Sequence, residues 1–90
     1  IGIADTLNNF TGACTNYLNF GIYYEKLGDY TKSLECFLKS LRYAERGNIP
    51  TALILTDIGN SYNNLSNYSE AEKFLNLAVQ EVEKGHASKS

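Results

Sequence analysis

The sequence predicts an all-α protein, a superhelix of stacked antiparallel helix hairpins. Three observations carry that expectation. The stretch Gly21-Ile-Tyr-Tyr-Glu-Lys-Leu-Gly-Asp-Tyr30 returns 38 residues later as Gly59-Asn-Ser-Tyr-Asn-Asn-Leu-Ser-Asn-Tyr68. Self-similarity at a fixed period of roughly 20–50 residues marks a repeat architecture. Apolar residues step by three or four, the spacing of one helix face. Turn-forming pairs, Gly28-Asp29, Gly47-Asn48 and Ser66-Asn67, separate the periodic stretches. The correspondence also keeps size and polarity at further positions: Leu27 with Leu65, Ser33 with Ala71, Phe37 with Leu75, Ser40 with Ala78 and Leu41 with Val79.

The first helix runs from about Ala13 to Leu27, with Tyr17, Phe20, Tyr24 and Leu27 on one face. Gly28 suits the left-handed residue that ends a helix, and Asp29 can cap the next one. The second helix spans Tyr30 to about Arg46, with Leu34, Phe37, Leu38, Leu41 and Ala44 as its stripe. Arg42 and Arg46 sit near the negative end of its dipole. Pro50 opens the third helix, where a missing N–H costs little. That helix reaches about Leu65, with Leu55, Ile58, Tyr62 and Leu65 aligned. The fourth runs from Tyr68 to about Lys84; Ser69 with Glu72 has capping-box spacing, and Asn67 is the competing cap. Residues 85–90 read as a polar, fraying tail.

The segment 1–12 allows two arrangements. Shifted by the period, it is the stub of a preceding helix. Alternatively Ile3, Leu7, Phe10, Cys14 and Tyr17 form one stripe, and a single long helix starts near Ile3. It would tolerate Gly12 at a cost of about 1 kcal/mol. The expected organisation is therefore an N-terminal segment 1–12, one hairpin over 13–49, a second over 50–84 and a tail over 85–90.

Bulk properties narrow the function. Ninety residues make one small domain. A net charge of −2, with eight Lys and Arg scattered along the chain, does not suit nucleic acid. No apolar run is long enough for a membrane span. Two cysteines are too few for a disulfide framework and read as buried hydrophobes in a reducing, cytoplasmic setting. His86 has no metal-ligand companions and no adjacent nucleophile. No catalytic residue, metal site or cofactor is expected. Glu70/Glu72 and Glu81/Glu83 read as solvated faces, and three glycosylation sequons beginning at Asn9, Asn64 and Asn67 as chance.

Gly21 and Gly59 stand in mid-helix, where Gly costs about 1 kcal/mol against Ala. Close approach of a partner helix offsets that, with Ser33 and Ala71 facing them and Phe37 and Leu75 filling the space. Tyr24, Tyr30, Tyr62 and Tyr68 read as core and inter-repeat packing. The fourth helix is apolar nearly all round, with Phe74, Leu77 and Val82 added to Leu75, Ala78 and Val79. Such a surface marks an interface: either the natural chain continues over it or another copy covers it, and self-association of the chain is expected, with domain exchange as one form of it.

This pattern resembles the tetratricopeptide repeat. Phe20-Gly21, Tyr24, Leu27-Gly28-Asp29-Tyr30, Ser33, Phe37 and Ser40 carry the match in one unit. Ile58-Gly59, Tyr62, Leu65, Tyr68, Ala71, Leu75 and Ala78 carry it in the next. The family's usual period is about 34 residues, and the longer one here resembles kinesin light chains, cell-polarity adaptors and bacterial peptide-sensing regulators. Tyr17 and Leu55 hold the family's usual tryptophan position, and Pro50 lies near the expected proline.

The resemblance implies a concave groove lined by the first helix of each unit. Its candidates are Thr15, Leu18, Asn19, Ile22 and Glu25, then Leu53, Thr56, Asp57, Asn60 and Asn63. Of these, Asn19, Ile22, Glu25, Thr56, Asn60 and Asn63 are the expected peptide-binding residues. In the resembled adaptors an Asn at the place of Asn60 grips a peptide backbone, a task an amide suits because it donates and accepts. The clamp that holds acidic chaperone tails is absent, since Leu18, Ile22 and Asp57 occupy its positions. The implied function is a non-catalytic scaffold holding a peptide or helix of a partner protein. The alternative is a homo-oligomerising or regulatory segment of a larger signalling protein.

Overall fold

A computed structural model describes residues 3–89, with side chains described over 9–85. Four helices follow one another: α1 (Ile3–Lys26), α2 (Tyr30–Arg46), α3 (Ala52–Asn64) and α4 (Tyr68–Lys89). α1 packs along α2, α3 along α4, and α2 against α3. Two like hairpins therefore stack into a slab of 42 × 34 × 15 Å. No strand occurs among the described residues, and the expected all-α architecture is the observed one.

Three helix ends share one chemistry. Gly28, Asn48 and Ser66 each adopt positive φ, at 81°, 57° and 64°. The next residue then donates its N–H back to the last turn: Asp29 to the Tyr24 carbonyl at 2.9 Å, Ile49 to Ala44 at 2.8 Å and Asn67 to Tyr62 at 2.8 Å. This is the Schellman arrangement, which satisfies carbonyls a helix end would leave bare. The left-handed place after α2 falls on Asn48, while Gly47 keeps an ordinary φ of −93°. Asp29 caps α2, accepting from the Lys32 N–H at 3.2 Å. Asn67 takes the capping place before α4, its side-chain oxygen 3.5 Å from the Glu70 N–H.

Two boundaries differ from the sequence expectation. α3 begins at Ala52, with Thr51 as its first flanking residue, so Pro50 belongs to the connection and not to the helix. α4 continues past Gly85 to Lys89, since neither Pro nor a left-handed residue stops it there. At the other terminus α1 is one continuous helix through Gly12, so segment 1–12 and the first helix of the hairpin are joined from Ile3 onward. The Ile3 and Leu7 side chains of the proposed stripe, and that of His86, lie outside the described residues.

The glycines have the expected reason. A methyl group at Gly21 would lie 2.5 Å from Phe37 Cε1, and one at Gly59 would lie 2.7 Å from Leu75 Cδ2. The hairpins close because these positions carry no side chain. Ser33 and Ser40, both fully buried, donate to the Gly21 carbonyl at 2.7 Å and the Cys14 carbonyl at 2.8 Å. In the second hairpin the same positions hold buried Ala71 and Ala78. Between hairpins, Phe37 and Ala44 of α2 meet Ile54 and Ile58 of α3 in one cluster with Cys14. Burying each large side chain there contributes about 1.5–3 kcal/mol. Tyr68 and Leu27, expected in the packing, stay exposed at 65% and 63%. Both stand at hairpin turns, Leu27 just after α1 and Tyr68 at the start of α4.

Candidate functional site

The expected groove residues divide by helix. On α1, Thr15 and Asn19 are exposed and Glu25 is half-buried. Leu18 and Ile22 are half-buried and pack against the core cluster, so Ile22 offers only part of its surface to a partner. On α3, Asn60 and Asn63 are exposed, and Leu53 is 65% exposed. At 3.6 residues per turn, Leu53, Asn60 and Asn64 fall in one row. An isolated exposed leucine next to two amides makes a row that can offer apolar contact and paired hydrogen bonds together.

Glu25 and Asp57 bring the two helices into electrostatic contact. Burial pushes the Asp57 carboxyl above its ordinary range, and the nearby Glu25 charge adds to the shift. The strip between α1 and α3 therefore concentrates negative charge in a partly desolvated place. Among the described residues no ion pair joins Glu25 or Asp57 to a Lys or Arg; Lys84 and Glu81 pair at 3.4 Å on α4.

Thr56 stands elsewhere. Its hydroxyl donates to the Ala52 carbonyl at 2.9 Å. Its flank lines an apolar groove of about 490 Å³ with Leu75, Ala78, Val79, Val82 and Glu83. Val79 and Val82 stand one period after Leu41 and Ala44 of α2, which belong to the packing with α3, so by that correspondence the groove lies on the side of the second hairpin away from α2. Val79 and Val82 are 54% and 49% exposed there, consistent with the apolar surplus noted for the fourth helix.

One feature escaped the sequence. Lys39, Arg42 and Arg46 of α2 gather with Tyr43 and with Tyr17 of α1 around a cleft of about 170 Å³ on the first hairpin. The two tyrosine rings stack with centroids 5.7 Å apart, and the Lys39 ammonium lies 5.4 Å over the Tyr17 ring. Counted along the chain, the basic residues look scattered. Their spacing of three and four on one helix was the signal that unites them.

Both cysteines are free, Cys14 buried and Cys36 partly so. Burial pushes the Cys36 thiol up, Lys39 lowers it and Glu35 raises it. The net upward shift keeps the thiol protonated and a poor nucleophile. Among the described residues no His, Cys, Asp and Glu gather in a group of three that could hold a metal. None of these helices is long and apolar enough to cross a membrane.

Comparison with known families matches this chain to the tetratricopeptide repeat over residues 12–83. Comparisons with curated proteins and with solved structures find no match.

Proposed function

The chain belongs to the tetratricopeptide repeat family, and from that membership we propose that it is a non-catalytic scaffold that holds a segment of a partner protein on the inner face of α1 and α3. Repeats of this family mediate protein–protein interaction. The observation that carries the reading is the exposed row of Leu53, Asn60 and Asn64 beside the Glu25–Asp57 pair. Asn60 and Asn63 supply amides that can bond a peptide backbone. Asn19 and Ile22 extend the contact along α1, while Thr56, turned to the apolar groove beside α4, lies outside it. The negative strip favours a partner segment bearing Lys or Arg. A cytoplasmic setting belongs to the same proposal, on the strength of two free thiols. So does self-association, on the strength of the exposed Val79 and Val82.

A random peptide library displayed on phage and selected on the immobilised chain tests this. Selected peptides should be rich in Lys and Arg. Asn60→Ala should weaken their binding at least about tenfold, the loss expected for about 1.4 kcal/mol, with helicity unchanged by circular dichroism. Glu35→Ala, on the exposed part of α2, should leave it alone. Equal binding by wild type and Asn60→Ala would remove the gripping role. Equal loss in both variants would remove the inner face as the site.

A further inference from the structure

The internal repeat gives each hairpin two ends, and inside the chain one kind of end already meets the other. Ile58 of α3 closes on Phe37 and Ala44 of α2, and all three are fully buried. One period earlier, Ile58 corresponds to Phe20, which is 55% exposed. One period later, Leu41 and Ala44 correspond to Val79 and Val82, which are 54% and 49% exposed. Among the described residues, the outer faces of the stack are thus exposed copies of the two faces that meet at α2 and α3.

Charge follows the same geometry. Glu45 of the first hairpin and Glu81 of the second line one cleft where the hairpins meet. Their period copies are Glu83, beside the apolar end groove, and Tyr43, in the basic cleft with Arg42 and Arg46. A copy seated by the in-chain rule therefore brings Glu83 against Arg42 and Arg46. The ends match in apolar character and in sign.

We infer that copies of this chain associate head to tail, the Phe20 and Arg42–Arg46 end of one copy seated on the Val79, Val82 and Glu83 end of the next. This fixes a geometry for the self-association proposed above and rests on it. The contact is heterologous, so copies add in series unless the rotation closes a ring. It is weaker than the in-chain contact, because Glu72 and Asn76 stand where the first hairpin has Leu34 and Leu38.

Sedimentation velocity of the full chain, from about 10 μM to about 1 mM, covers the range of weak association. Mass should rise with concentration beyond a dimer. Phe20→Asp and Val79→Asp change exposed positions, and circular dichroism should show both folded. Each alone should stay monomeric. Their equimolar mixture should form a 1:1 dimer and stop, since one keeps a working tail and the other a working head. A second pair reads the charges: Arg42→Glu/Arg46→Glu and Glu83→Arg should each weaken association, and their mixture should restore it. A wild type that remains monomeric throughout would remove self-association altogether. Phe20→Asp associating as well as wild type would overturn the head-to-tail arrangement while leaving self-association in place.

Discussion

The Ser33 hydroxyl crosses the first hairpin to donate to the Gly21 carbonyl at 2.7 Å, with no exposed surface on Ser33. The bond ties α2 to α1 at Gly21, where no side chain stands between them. Ala71 holds the corresponding place in the second hairpin, so a methyl group fits the shape. Ser33→Ala should therefore cost only the net value of one buried hydrogen bond, about 1 kcal/mol. For a domain of this size that lowers Tm by about 4–8 °C, readable by thermal circular dichroism.

Gly21→Ala and Gly59→Ala should differ. Alanine gains helix propensity of about 1 kcal/mol at either site. At Gly21 the new methyl meets the ring of Phe37, fully buried and unable to swing away. Overpacking of that kind costs about 1–3 kcal/mol. At Gly59 it lies 2.7 Å from Leu75 Cδ2 and Cγ and 3.2 Å from the Ala71 carbonyl oxygen, and Leu75, only half-buried, has solvent to move toward. Urea denaturation should show a net loss for Gly21→Ala that exceeds any loss for Gly59→Ala. Phe37→Leu in the Gly21→Ala background should recover part of it.

Repeat, turns and stripes were legible because each rests on local chemistry. Gly28 and Asp29 announce a helix end and a cap whatever lies around them. Phe37 could be set against Gly21 because a mid-helix glycine needs close packing to offset its cost. What lay beyond the sequence depended on several helices at once. Arg42 and Arg46 join Tyr17 only when α1 and α2 are packed. Thr56 looked equivalent to the groove residues, yet its flank lines the apolar groove with Leu75, Ala78 and Val79 of α4. Pro50 suggested a helix start that the connection placed at Ala52. The binding role of Asn60 rests on the family's chemistry, while its exposure is the structure's own contribution.

Ser66 holds φ at 64° where the first hairpin uses Gly28. A side chain in the left-handed region costs about 1–2 kcal/mol, of which Gly's extra unfolded-state freedom gives back about 0.5–1. Ser66→Gly should stabilise the chain by up to about 1 kcal/mol. Chemical denaturation measures it, and a loss of stability would show that Ser66 has a role the backbone does not reveal.

Asp57 gives a pH signature. Its folded-state pKa lies above the ordinary 3.8 through burial and then Glu25. The folded protein holds that proton more tightly than the unfolded chain. The associated stability is complete below the ordinary value and is lost as pH rises through the raised one. Asp57→Asn should therefore raise Tm at pH 7, and the gain should vanish below the ordinary carboxylate range. Glu25→Gln should shift Tm in the same direction by less. The same substitutions should weaken binding of basic peptides, so stability and affinity move in opposite directions.

The placement of the binding surface is tested most directly by two-dimensional amide NMR of the chain titrated with a library-selected peptide. Shift changes should gather on Asn19, Ile22, Leu53, Asn60 and Asn63, with Lys32 on α2 and Lys73 on α4 unmoved. Changes confined to α2 and α4, with the inner row of α1 and α3 still, would contradict that placement.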